Sequence, residues 1–288
     1  MEAFLQALAQ GLLIGSTYGL LALGMGLIYS VSGIVNFSHG DFVSLAMYLC
    51  FALFTAFSLD PYVSLIITLP LMLLVGGLVY RFIIQPVAGG HALMVVQLTL
   101  GIALVVQNGI LMAFGGQPQR TPSFVEAKLV MLGDVVMRMP HVIAFFTSIS
   151  LASLLFIVLR STDIGRSIRA VHQNARAAAL MGIDVDRVKI WTFATGIGLL
   201  AIAGALLSPG TPLMPTMGLR YTVITLLALV LGGMTNFLGI MVAGFVIGIS
   251  EAMGMIYLSD TLGMILPYAT FVLIVLFRPE GILGQSRA

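Results

Sequence analysis

Apolar runs recur along the whole chain, at 3–29, 42–59, 62–84, 92–114, 141–159, 190–208, 240–258 and 262–277, with a shorter one at 221–231. A helix needs about twenty apolar residues to cross the hydrocarbon of a bilayer, so runs of this length and number dictate a membrane protein. Inside lipid every peptide group must be paired within the protein, which leaves helices and closed barrels. Barrel strands are shorter and alternate apolar with polar residues, a pattern these runs do not have. The expected fold is therefore all-α, a polytopic integral membrane helical bundle with about 8–10 membrane segments, some discontinuous. All 288 residues read as a single transmembrane domain, 59% hydrophobic and 8% charged. The first run is too long for a cleaved leader and is expected to be retained.

Two intervals between runs are long and polar. Arg160 to Lys189 holds Arg160, Arg166, Arg169, Arg176, Arg187 and Lys189, whereas Gly115 to Pro140 holds only Arg120, Lys128 and Arg138. The basic excess places 160–189 in the cytoplasm and 115–140 outside. Within the basic segment, Arg166 to Met181 has no proline and no internal glycine, and Gly182 ends it, so it reads as one surface helix. Arg166, Arg169 and Arg176 make a broad basic face, while Ile168, Val171, Ala175, Ala178 and Ala179 make a face of small and apolar residues suited to docking on a partner. Attachment to anionic membrane lipid explains the same charges.

Polar breaks interrupt the apolar pattern at Gly33 to Asp41 (GIVNFSHGD), at Ser208 to Gly218, where Pro209, Pro212 and Pro215 forbid regular helix, and at Gly232 to Gly239 (GGMTNFLG). Unpaired backbone cannot face lipid, so the first and third breaks are expected in protein or along a cavity, and Ser208 to Gly218 is expected to be an irregular outer loop or a re-entrant segment. Asn36, Ser38, His39 and Asp41 in the first and Asn236 in the third are the candidate pathway residues; turns capped by the same side chains are the alternative. Gly33-Ile-Val-Asn36-Phe37 recurs as Gly233-Met-Thr-Asn236-Phe237, which suggests an internal duplication. Pro70 predicts a kink in its run. Thr99, Gln107 and Asn108 are uncharged polar residues that either bond between helices or meet a solute. Glu251, the one acid near the middle of a run, must face the bundle interior.

Several functions are excluded by what is missing. Lys128 and Lys189 are the only lysines and neither belongs to a G-x-x-x-x-G-K-[ST] loop, so this chain has no such ATP site. Neither a zinc-helix motif nor a nucleophile elbow occurs, so no catalytic residue and no metal ligand is assigned. A lone Cys50 forms no internal disulfide, and a net charge of +2 gives no reason to expect nucleic acid as a partner. The membrane subunit of an ATP-driven importer, a secondary transporter or channel using Asp41 and Glu251, and a membrane enzyme remain open.

Four stretches then resemble one family, the LivH-type permease subunits of branched-chain amino acid ABC importers. GIVNFSHGD (Gly33 to Asp41) is similar to its Asn-Phe-[Ala/Ser]-His-Gly-[Asp/Glu] motif, and LTLGIALVVQN (Leu98 to Asn108) to its Thr-x-Gly…Gln-Asn helix. MGIDVDRVK at the end of the basic segment resembles the family's coupling segment, and FRPEGILG (Phe277 to Gly284) its Arg-Pro-x-Gly ending. Gly232-Gly233-Met234-Thr235-Asn236-Phe237-Leu238-Gly239 departs from the usual Gly-Gly-x-Gly-Ser-x-x-Gly, which leaves urea or a short amide open as substrate beside Leu, Ile and Val. The resemblance implies a multi-pass permease of a bacterial inner membrane that is no enzyme and binds no cofactor. It would pair with a second permease subunit of similar fold, two cytoplasmic ATPase subunits that hold the ATP, and an extracytoplasmic binding protein. Asn36, Ser38, His39, Asp41, Asn108, Asn236 and Glu251 would lie on its pathway, and Arg166, Arg169, Arg176, Ala178, Gly182, Asp184 and Arg187 would couple it to the ATPases.

Overall fold

The computed structural model describes residues 2–279, 281 and 282; Glu280, Leu283 and Gly284 of the terminal stretch lie outside the described residues. Ten α-helices follow in order: α1 (Glu2–Ser32), α2 (His39–Phe57), α3 (Pro61–Val79), α4 (Ala92–Phe114), α5 (Met139–Ser161), α6 (Asp163–Leu180), α7 (Val185–Leu207), α8 (Met217–Gly232), α9 (Phe237–Tyr257) and α10 (Asp260–Phe277). Eight helical stretches among the described residues are long and apolar enough to cross a membrane, and α8 is a shorter apolar helix. The chain is thus a multi-pass helical membrane protein, as the apolar runs demand. α3 continues through Pro70 and passes into a π turn at Tyr80–Ile84.

α1 is the axis of the bundle, packing on α5, α7, α8 and α9. Its glycines set the approach to α9: a Cβ on Gly11 would stand 2.5 Å from Ile249 Cα, and one on Gly15 would stand 2.7 Å from Gly244 O. Without a water-driven hydrophobic force between membrane helices, such backbone contact is a main source of association. Gly24 meets Gly196 of α7 in the same way, 3.0 Å from its carbonyl oxygen.

The loops divide by charge. Arg81, Arg160, Arg166, Arg169, Arg176, Arg187, Lys189 and Arg278 gather at one end, and Arg120, Lys128 and Arg138 at the other, where α1 begins. That second end holds a feature the helical reading omits, an antiparallel hairpin of β1 (Leu129–Leu132) and β2 (Val135–Arg138). Gln6 fastens it to α1, its amide donating to Val136 O at 2.7 Å and accepting from Val136 N at 3.0 Å. Asp60, the N-cap of α3, accepts from Ser123 Oγ at 2.7 Å and Phe124 N at 3.0 Å and holds the rest of the loop down.

At the basic end the terminal stretch folds back on α8. Gly281, at φ +89°, lies where a Cβ would stand 2.7 Å from Leu231 O, and Ile282 N donates to that oxygen at 2.7 Å. The tail therefore fills part of the carbonyl-rich end of α8, and only glycine fits the turn that brings it there.

Candidate functional site

α1 ends at Ser32 and Gly33, at φ +66°, turns the chain back along the helix it has just left. Residues 33–36 are non-helical, and α2 starts beside Leu21, whose carbonyl lies 3.0 Å from His39 Nε2. Leu21 is eleven residues short of the end of α1, about 16 Å by helix rise, so this break re-enters the bundle rather than bridging two spans outside it. Asn36, Ser38 and His39 are fully buried and Asp41 is 5% exposed.

Each peptide group freed by the break has to be met from inside the protein. Asn36 Oδ1 accepts from Ser38 N at 3.1 Å and Ser38 Oγ at 2.6 Å. Thr99 Oγ1 of α4 accepts from Phe37 N at 3.3 Å. Thr222 of α8 does most: its hydroxyl accepts from Gly40 N at 2.8 Å and donates to Phe37 O at 3.2 Å. Thr222→Val keeps the shape and removes both bonds, leaving a buried donor and acceptor bare. We expect a loss of about 1–3 kcal/mol, to be read as a lower melting temperature of the detergent-solubilised chain.

The first turns of α2 and α8 meet here with opposite direction. A Cβ on Gly40 would collide with Gly218 O and Thr222 N, and one on Gly218 would collide with Asp41. Two helix N-termini carry partial positive charge, and Asp41, in the first turn of α2 against the first turn of α8, places one carboxylate where it counters both. The counterpart of the 33–38 break is therefore the proline-rich 208–216 segment that leads into α8. The Gly233–Phe237 repeat is a different feature: Gly233, at φ +87°, ends α8, and Asn236 Oδ1 caps α9 by accepting from Gly239 N at 3.1 Å. Asn36 and Asn236 share a turn chemistry, but Met234 and Thr235 are exposed, so this break is a surface turn at the basic end and Asn236 stands apart from the buried cluster. Asn108 is also apart, on the outward face of α4, where Nδ2 donates to Leu104 O of its own helix at 2.8 Å.

Glu251 is 2% exposed in α9, facing the interior as its cost in lipid requires. Its partner is Arg220 in the first turn of α8, 2.6 Å from Oε1, with Tyr18 alongside. Arg220 was not singled out in the sequence. The signal was a charge opening an apolar run, as unusual there as the acid in the middle of another.

The basic segment is two helices rather than one. Asn174 is extended, at φ −159° and ψ 100°, and its side chain accepts from Ala177 N at 3.0 Å, starting a second short helix. Asn174 is another residue missed, since an asparagine before an alanine run is a standard N-cap signal. Gly182, at φ +86°, closes that helix, and Asp184 starts α7 by accepting from Arg187 N at 3.1 Å while pairing with Arg187 Nε at 2.8 Å. The expected small-residue docking face is corrected: Ile168, Val171 and Ala178 are buried on the chain's own Leu27, Val31 and Leu159. Arg169 donates to Leu159 O at the end of α5, His172 lies against Ser30 O at the end of α1, and Arg166 pairs with Asp163. Ala179 of that face is exposed, beside an outward tip of Leu180, 89% exposed, and Met181, 84% exposed, with Arg176 also exposed.

Comparison with known proteins gives the family. The description "Branched-chain amino acid transport system / permease component" matches residues 7–275. The high-affinity branched-chain amino acid transport system permease protein LivH of Escherichia coli strain K12 is 29% identical over 98% of this chain and 96% of its own. A probable branched-chain amino acid transport permease protein LivH of Methanocaldococcus jannaschii is 27% identical over 92% of this chain and 88% of its own. The ribose import permease protein RbsC of Haemophilus influenzae is 25% identical over 94% and 84%. No solved structure matches.

Proposed function

The chain belongs to the branched-chain amino acid transport permease component family, and from that premise we propose that it is the membrane-spanning subunit of an ATP-driven importer for Leu, Ile and Val. Its basic end faces the cytoplasm of a bacterial inner membrane, which puts Glu2 and the hairpin outside. ATP is bound and split on two separate cytoplasmic subunits. A substrate-binding protein delivers the amino acid to the hairpin end, and a second permease subunit completes the pathway.

The observation that carries this reading is the tip of α6. Two large apolar side chains stand in water, held on a short capped helix whose other face is locked onto α1 and α5. A rigid exposed anchor of this kind fits a groove on a partner, and its attachment to the carbonyl ends of α1 and α5 transmits movement of that partner into the bundle. The rearrangement then falls at the junction of α2 and α8, which meet at their first turns. Asn36, Ser38, His39 and Asp41 act there by holding the re-entrant segment, and Arg166, Arg169, Arg176, Gly182, Asp184 and Arg187 act by shaping and orienting the tip.

The test uses cells expressing this chain with the ATPase and binding-protein subunits of its own system. Leu180→Glu with Met181→Glu is expected to lower leucine uptake and substrate-stimulated ATP hydrolysis by roughly 10-fold or more, with normal amounts of chain in the membrane. Unchanged uptake overturns the coupling role. Ala178→Glu is expected to reduce the amount of folded chain instead, because that side chain is buried. Leucine, ribose and urea are compared as substrates, since the similarity to a ribose import permease shows relatives in this sequence range named for a different solute.

A further inference from the structure

The hairpin end holds a cavity of about 400 Å³ between the first turns of α1, strand β2 and the start of α5. Small-molecule sites have this size. Leu13, Ile14 and Met137 give it an apolar lining, and Gln10, Arg138 and His141 add polar groups. None of those three polar side chains makes a hydrogen bond among the described residues. Such groups are costly against hydrocarbon and suit a polar ligand or water. A smaller cavity of about 60 Å³ adjoins the first: Arg138 lines both, and a Cβ on Gly210 of the small one would stand 3.2 Å from His141 Cε1 of the large one.

Arg120, Glu126 and Arg138 bring charge to the small cavity, and each backbone is fixed by a separate device. Gln119 and Leu213 exchange N–H···O bonds at 2.9 and 2.8 Å, which sets Arg120 against the 208–216 segment. Glu126 follows the turn at Ser123 that Asp60 holds, and Arg138 joins β2 to α5. Two cations and one anion therefore surround one space, and none of them is in an ion pair among the described residues. A zwitterion completes this pattern. Guanidinium groups give a carboxylate paired N–H bonds, and an ammonium needs an acceptor such as the Glu126 carboxylate. Ribose and urea carry no charge to offer either. We propose that a branched-chain α-amino acid is held here, its carboxylate on Arg120 and Arg138, its ammonium on Glu126 and its alkyl group in the large cavity. The proposal takes its ligand from the transport reading and adds the place where this chain first holds it. Thr211, also lining the small cavity, bonds to Tyr221 beside Arg220, so the site stands at the head of the segment that leads into α8.

The experiment follows thiol labelling of Met137→Cys by a water-soluble maleimide, in the assembled complex in lipid nanodiscs without ATP or binding protein. Cys50 stays in place because it is buried. Leucine is expected to slow the labelling by about 5-fold or more, and ribose and urea to leave it unchanged. Leucinamide, without the carboxylate, and 4-methylpentanoate, without the ammonium, are expected to protect more weakly than leucine. Arg138→Gln is expected to raise the leucine concentration for half protection about 10-fold or more. Glu126→Gln is expected to do the same for leucine and to leave protection by 4-methylpentanoate no weaker. Neither side chain makes a hydrogen bond, so both variants keep the fold, and Leu132→Cys at the exposed hairpin tip is expected to label alike with and without leucine. No protection by leucine, equal protection by ribose, or leucine protection unchanged in both charge variants overturns the proposal. Uptake is measured separately: ATP-driven import without protection strikes this site and leaves the transport reading, and protection without import does the reverse.

Discussion

Gly40→Ala leaves no transport and little folded chain. One added carbon meets Gly218 O and Thr222 N, both backbone atoms of α8, so no side chain can rotate away to make room. Overpacking a core commonly costs about 1–3 kcal/mol, and backbone against backbone puts this case at or above the top of that range. The same carbon also displaces Gly40 N from its bond to Thr222 Oγ1, which leaves a buried donor without an acceptor. The loss is specific to position 40, and Gly89→Ala, where an added Cβ meets nothing within 4 Å, is the matched control. Fluorescence-detected size exclusion after detergent extraction is expected to show a sharp peak for the control and an aggregate for Gly40→Ala. A normal peak and normal uptake for Gly40→Ala would mean that α2 and α8 do not meet at their first turns.

The second large effect is asymmetric. Arg220→Gln strands a carboxylate that is 2% exposed, whereas Glu251→Gln strands a guanidinium whose side chain is 34% exposed. Breaking a buried ion pair by removing one member costs about 3–5 kcal/mol, and partial exposure of the remaining charge lowers that. Arg220→Gln is therefore expected to destabilise by about 3 kcal/mol or more and Glu251→Gln by distinctly less. The double variant should recover most of the Arg220→Gln loss, because it leaves two neutral amides able to bond each other. Melting temperatures of the four forms measure this directly. Equal losses from both single variants, or no recovery in the double, contradict a pair that acts as one unit. Uptake separates a structural role from a part in transport: a double variant that folds normally and imports normally removes both charges from the pathway.

The membrane runs were legible because hydrocarbon thickness sets helix length, and the eight long runs and the shorter one at 221–231 appear as helices close to their expected limits. The first break was legible too, since Asn36, Ser38, His39 and Asp41 are expensive among apolar neighbours. Its depth was not, because that depends on which helix offers Thr222 and which offers Thr99, and both partners are remote in sequence. The same holds for Arg220 and Glu251, which lie on different helices. In α6 the period showed two faces but not which one the chain would use for itself, so Ala178 was placed outward when it is buried. The hairpin had a local signal, Gly133-Asp134 between Leu129–Leu132 and Val135–Arg138, in a loop where only charge had been weighed.

The claim at the centre of this account is that the chain moves a branched-chain amino acid by coupling to ATPases at its basic end. Proteoliposomes containing the complete complex test it, with oriented insertion, labelled leucine and binding protein on the hairpin side, and ATP on the α6 side. Leucine is expected to accumulate on the α6 side only when ATP and binding protein are both present, and not with the Leu180→Glu, Met181→Glu chain. Accumulation driven by a proton or sodium gradient in the absence of ATP would contradict the account.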